Sequence, residues 1–436
     1  MASVSQCRLD PSVAVGPSPP WAHRTRISEA GIDFALLVCA LFLQRFGLTF
    51  GHSLMSLDIV PAAFILMHQF VTGRLVIQYD RLLWFLAAGA AVTCSLLLNF
   101  NSTMLPSYSE FILVYFLFTL VRPSNADRYR STLHAFQFLV ALLSFLAVAQ
   151  FIAQFVLDGR ELIRFYGIFP EFLFTDRVNT IIPVAGGSAL IKSNGIFLTE
   201  PSTLSQLAAL AILIELLEFR RPRYLLLLAL GLLLSYSGTG LMLFLGFVPL
   251  AGIHRSNARL PVLLVIVFIF GLVASGTIDI SAFLSRADEF DDPRASGFQR
   301  FVSPFWLAKE HFHMASLPVL LMGSGPGTTD AFADRFWYTG FAGTWIKLFY
   351  EYGIIGSFVF LCFLASCFRR SPCPMLVLAA ILFSYVFLGG MLLSTPFLIM
   401  MVVLCTLSTL EPRRNRIDKS SRFQASLIPR SAAGSL

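Results

Sequence analysis

Apolar residues fall in runs of about 15 to 25 positions along most of this 436-residue chain, divided by short polar stretches rich in arginine or glycine. Runs of that length predict helices that cross a bilayer, where every backbone polar group must be bonded within its own segment. The pattern places spans at about 31–50, 55–73, 82–100, 107–121, 133–157, 201–218, 223–236, 239–253, 260–277, 344–367, 374–389 and 391–410. The expected fold is therefore an all-α polytopic integral membrane protein with about twelve transmembrane helices in one domain, 29–410. Residues 1–28 are polar and proline-rich and read as a disordered cytoplasmic tail, and 411–436 as a basic cytoplasmic tail. The first run lacks a small-residue cleavage site and is read as retained.

Charge placement sets orientation. Arg74 and Arg81, then Arg122, Arg128 and Arg130, then Arg220, Arg221 and Arg223, then Arg255 and Arg259, then Arg369 and Arg370 fall in alternate short connections. Arg413, Arg414, Arg416 and Lys419 follow the last run. By the positive-inside rule these connections and both termini are cytoplasmic, which requires an even number of spans. Two long connections, about 158–200 and 278–343, then lie together on the far side. The composition fits: 56% apolar, 13% charged, mean hydropathy +0.74 and net charge +7. Positive charge spread over short loops and a tail is not a nucleic-acid footprint. The cysteines fall in spans or on the inner side, so no disulfide and no thiolate metal site is expected. No internal repeat is visible, against an inverted-repeat transporter.

Chemistry concentrates where polar groups interrupt this pattern. In KSNGIFLTEPSTLS, Lys192 to Ser205, a polar loop becomes a helix at Glu200-Pro201, because proline suits a first helical turn. Glu200 there either complements the helix dipole or accepts a proton from a hydroxyl. Lys192, Asn194 and Arg177 share its loop. The runs 223–236 and 239–253 are short, about 21 Å of helix against a hydrocarbon core of ~30 Å. They must form a hairpin that turns at SYSGTG, with Ser237 and Thr239 in an ordinary turn or facing a cavity under the outer loops. Lys347 and Glu351, four apart, either pair with each other or serve a substrate. Arg45 either snorkels to the outer interface or meets a phosphate.

The second long connection holds RADEFDDPR, Arg300, Lys309, His311, His313 and GSGPGT. Asp288, Glu289, Asp291 and Asp292 lack EF-hand spacing, and the two histidines lack a third partner, so no metal is assigned. GSGPGT offers backbone N–H groups to a phosphate, or turns the chain into the next helix.

Taken in order, KSNGIFLTEPSTLSQLAAL, LLLSYSGTGLMLFLG, LMGSGPGTTD and WIKLFYEYGIIGSFVF resemble the Wzy-type polysaccharide polymerase and O-antigen ligase superfamily, over about residues 190–365. Within it the chain is most similar to xanthan-type exopolysaccharide polymerases. The resemblance implies a GT-C-like glycosyltransferase with two large periplasmic loops. It would join oligosaccharide repeat units linked to undecaprenyl diphosphate, at the periplasmic face of the inner membrane. It implies catalytic roles for Glu200, Lys192 and Arg300, and substrate contacts for Arg177, Asn194, Ser237, Thr239, Lys347, Glu351 and Arg45. Neither cofactor nor metal is implied. The expected partners are the lipid-linked substrate, membrane lipids, and the flippase and chain-length or export proteins of the same pathway. Lys192 stands where many relatives carry arginine. Thr344-Trp345 replaces the His-Asn pair usual in ligases of the superfamily, which argues against ligation. A ligase, or a transporter that forms no glycosidic bond, is the alternative reading.

Overall fold

The computed structural model describes residues 29–50, 53–159, 173, 181–184, 188–254, 263, 290–293, 295–338 and 342–410. The span expected at 260–277, both tails, Arg177, Asp288 and Glu289 lie outside them.

Helices dominate. In order they are α1 (Glu29–Phe42), α2 (Ile59–Val71), α3 (Tyr79–Leu98), α4 (Leu105–Phe116), α5 (Ala126–Ala153), α6 (Pro201–Ile214), α7 (Pro222–Leu234) and α8 (Gly238–His254). Four short helices follow: α9 (Ser296–Phe301), α10 (Ser303–Met314), α11 (Leu317–Met322) and α12 (Thr329–Ala333). The chain ends in α13 (Thr344–Phe368), α14 (Met375–Phe383) and α15 (Thr395–Met401). Wider π turns extend α6, α14 and α15 by five residues each. Four stretches are long and apolar enough to cross a membrane: Tyr79–Leu98, Ala126–Ala153, Pro201–Phe219 and Thr344–Phe368. Seven shorter apolar helices pack among them.

Three expectations need correction. The run 31–50 is not one helix: α1 stops at Phe42, where the polar Gln44 and Arg45 precede Gly47, and the chain enters an antiparallel hairpin of β1 (Gly47–Phe50) and β2 (Ser53–Ser56). The run 391–410 is broken too: a single tight turn over Met391–Leu393 precedes α15, which begins only at Thr395 with Pro396 in its first turn, and the run ends in a strand at Ser408–Leu410. The all-α reading therefore misses two small sheets. The second joins β3 (Val76–Ile77), β4 (Leu120–Ser124) and β5 (Ser408–Leu410), with β3–β4 antiparallel and β4–β5 parallel.

That three-stranded sheet closes one end of the bundle, together with arginines that sequence reading left in loops. Arg81 is fully buried and donates through Nη1 to the carbonyls of Phe118 (3.1 Å) and Thr406 (2.8 Å). Arg122 pairs with buried Asp33 at 2.7 Å, and Thr132 Oγ1 also donates to Asp33. At the opposite end, close backbone approach sets the geometry. A Cβ on Gly240 would collide with Ser205, so glycine lets α8 lie directly on α6, and the Gly240 N–H donates to Ser205 Oγ at 3.1 Å. Helices α9 to α12 fold over that end as a cap with its own core, built on Phe298, Leu307, Phe332, Tyr338, Ile346 and Tyr350.

Candidate functional site

The loop before α6 is built from its own amides. Lys192, Ser193 and Asn194 are buried. Gln150 Oε1 on α5 accepts from the N–H of Asn194 (3.2 Å) and of Gly195 (3.1 Å). Asn194 accepts from the Ile196 N–H through Oδ1 (3.0 Å) and donates through Nδ2 to the Leu198 carbonyl (2.8 Å). One N–H and one lone pair of its amide thus shape the loop. Gly195 and Ile196 both sit at φ +70°. For a β-branched residue that is a strained conformation, and such strain persists only where surroundings over-determine it. Arg45 is one cause, for its Nη1 donates to the Ile196 carbonyl at 2.9 Å.

At the loop's end Glu200 takes the N-cap position of α6 with extended backbone, and Pro201 opens the helix. The carboxylate does not cap the helix. Glu200 Oε2 accepts from Ser202 Oγ at 2.6 Å and from Arg300 Nη2 at 3.1 Å, and both charged side chains are partly exposed. Arg300 comes from α9, one hundred residues later. So two residues singled out on separate outer loops meet directly. The SYSGTG turn lies against the same loop, since Ser193 N–H donates to the Leu234 carbonyl at 3.0 Å. Within the turn, the hydroxyls of Ser237 and Thr239 are 3.1 Å apart.

Lys347 and Glu351 do not pair with each other. Lys347 Nζ reaches Asp330 at 3.1 Å, while Thr329 Oγ1 donates to Glu351 Oε1 at 2.7 Å. Each is met by a residue of α12, and α13 itself breaks beyond both, at Gly353, which has φ +66° and ψ −171°. GSGPGT docks into that break: Ser324 N–H donates to the Tyr350 carbonyl (2.8 Å) and Gly325 N–H to that of Glu351 (3.0 Å). Ser95 Oγ donates to the same Glu351 carbonyl at 2.6 Å. These two amides therefore satisfy a broken helix rather than a phosphate. Helix α12 begins just after this loop and carries Thr329 and Asp330 to the face of α13, drawing the two charges apart.

In the cap, His311 is buried among the rings of Phe332, Phe349 and Tyr350, and burial pushes its imidazole below the ordinary value. Burial beside Glu310 pushes the Tyr338 phenol up to about 12. Thr344, where ligases would carry histidine, locks α13 to the next connection, accepting from the Met391 N–H at 3.0 Å.

Sequence reading passed over Glu110. It lies within the apolar run 107–121 and lines a cavity of about 260 Å³ beside the start of α6. A lone carboxylate in a spanning segment was the available signal.

A bundle of apolar helices, four of them among the described residues long enough to cross a bilayer, defines a membrane protein, capped at one end over a buried polar loop and an ion pair. The chain belongs to the WcaD colanic acid polymerase family, whose family model matches residues 34–410. It is thus a Wzy-type polymerase, of the class that joins polysaccharide repeat units. No curated protein matches it.

Proposed function

We propose that the chain is an exopolysaccharide polymerase of the bacterial inner membrane, with both termini cytoplasmic and about twelve spans, acting at the periplasmic face. It moves the growing chain from undecaprenyl diphosphate to a new lipid-linked repeat unit delivered by a flippase, and works alongside chain-length and export proteins. The observation that carries this reading is the Arg300–Glu200 pair, held at 3.1 Å between the two outer loops.

In the reaction the bond from the sugar's anomeric carbon to the phosphate oxygen breaks, and one to an acceptor hydroxyl oxygen forms. The leaving diphosphate gathers negative charge, so preorganised cations lower the barrier. Arg300 supplies a planar, bidentate donor, and Lys192, buried in the first loop, supplies a compact charge. Arg177, in the same connection, is the further basic group on this side. Glu200 holds Arg300 in place until the diphosphate competes for it. Its Oε2 already accepts two hydrogen bonds, which makes it a better positioning group than proton acceptor. Asn194 and Arg45 shape the loop, and Ser237 and Thr239 floor it.

The test is the lipid-linked oligosaccharide profile of a deletion strain. Single repeat units on the lipid should accumulate, and Arg300→Ala should fail to restore polymer. Complete but unattached polymer would point to a ligase instead, and unprocessed repeats retained on the cytoplasmic side to a transporter.

A further inference from the structure

The cavity beside α6 contains a carboxylate that the ion pair does not use. Glu110, in the second turn of α4, makes no hydrogen bond and no ion pair with another described residue. By contrast Asp33, Asp58, Glu200, Glu215 and Glu351 each meet a donor. An unengaged carboxylate in an apolar bundle is costly and marks function by default.

The cavity lies at the reacting end. It is reached by Leu41 in the last turn of α1 and Gln44 just beyond it, by the first turns of α4, and by Thr199 and Thr203, which flank Glu200 in sequence. Ser394 and Thr395 complete it where α15 begins. Its roughly 260 Å³ corresponds to about nine waters at ~30 Å³ each, the scale of a sugar ring rather than of an oligosaccharide. Hydroxyls, one amide and one carboxylate set in an otherwise apolar wall suit a polyhydroxylated ring.

We propose that this cavity is the acceptor subsite, which takes the terminal sugar of the incoming repeat unit, and that Glu110 accepts the proton of its attacking hydroxyl. This rests on the polymerase reading above. As the new glycosidic bond forms and the anomeric carbon–phosphate oxygen bond breaks, the hydroxyl proton passes to the Glu110 carboxylate and later to water. The electron pair of the broken bond leaves with the diphosphate towards Arg300. Donor and acceptor thus use different walls of one site: loop cations for phosphate, cavity for sugar. The charged groups that act on Glu110 are Asp58, ahead of α2, and Lys347 on α13. The phenols of Tyr115 and Tyr352 feel it as well.

The experiment extends the lipid-linked repeat unit extracted from a deletion strain, using purified full-length protein across a pH series. Wild-type extension should slow on the acid side as the base is protonated. Glu110→Gln should lose about 10²- to 10⁴-fold and the acid limb with it, while lipid-linked substrate still binds. Glu110→Asp, shorter by one methylene, should fold and extend more slowly than wild type while keeping the limb. Wild-type rate and pH profile in Glu110→Gln would overturn the inference, and so would an aspartate variant as fast as wild type if the glutamine variant does not fold. Full activity of Glu110→Gln beside an inactive Arg300→Ala would reject the subsite but spare the polymerase. A wild-type protein that extends nothing would reject both.

Discussion

Arg300 Nη2 lies 3.1 Å from Glu200 Oε2, which ties the first turn of α6 to a cap helix one hundred residues away. Both side chains are partly exposed, so the pair itself adds little stability. In the proposed reaction its value is in holding two loops at a fixed separation around the diphosphate. Arg300→Ala should lower extension of a lipid-linked repeat by roughly ten- to two-hundredfold, the loss of a charge-assisted contact at about 1.5–3 kcal/mol. Arg300→Lys should lose less. Lys192→Ala combined with Arg300→Ala should fall short of the product of the single losses, since both charges serve one transition state. Strictly additive losses would separate them.

Orientation is checked by fusions. A reporter placed after Arg300 should read periplasm, and one placed after Arg128, Arg221 or Arg369 should read cytoplasm. A cytoplasmic signal at Arg300 would place the ion pair on the wrong side for lipid-linked repeats.

Gly353→Ala tests the broken helix. Its Cβ would run into the Leu321 carbonyl and Gly323 amide, and its φ of +66° disfavours any side chain. The expected cost is about 1–3 kcal/mol, seen as a lower unfolding midpoint in detergent, with slower extension. Alanine at Gly246, where an added Cβ meets nothing within 4 Å, is the control and should leave both unchanged.

The buried Arg122–Asp33 pair predicts a larger effect. Asp33→Asn leaves Arg122 buried without a counter-charge and should destabilise by about 3–5 kcal/mol, whereas replacing both partners with apolar residues should cost less. Thermal unfolding followed by a thiol probe, or the yield of monodisperse protein, reads the difference.

Acid should loosen the cap through His311. Its folded-state value is below the ordinary 6.5, so the unfolded or opened form binds the proton more readily. Stability from neutral His311 is therefore full at higher pH and declines as pH falls below 6.5. The protection factors across α10, with intrinsic exchange at each pH divided out, should fall from pH 7 to pH 5, and His311→Phe should remove that difference. Equal protection at both values in the wild type would exclude the effect.

The lengths of α3, α5, α6 and α13 follow from continuous apolar runs, and these were readable because bilayer crossing leaves a one-dimensional trace. So was the start of α6, where Pro201 and the polar residues before it are local signals. Pairing was not readable. The i, i+4 spacing of Lys347 and Glu351 suggested a pair, but the fold of α12 offered each a partner 17 and 22 residues away. Arg81 and Arg122 were counted as loop charges because nothing local shows that carbonyls and an aspartate from distant helices enclose them. The resemblance implies a substrate contact for Asn194, and nothing local shows that its amide also bonds Ile196 and Leu198 within its own loop. Glu110 belongs to no motif: a single carboxylate in an apolar run carries no local pattern, and only the fold sets it beside the start of α6.

The break in α13 also bears on how the chain is assembled. Its open carbonyls at Tyr350 and Glu351 are closed by Ser324, Gly325 and Ser95, all of which precede them in the chain. When α13 leaves the ribosome its docking partners already exist, so this helix enters the bilayer last among the segments it contacts there. The unsatisfied peptide groups need never face lipid alone. A ribosome stalled far enough beyond Phe368 for α13 to have cleared the exit tunnel should already hold the cap helices against α3, whereas one stalled before Leu317 should not.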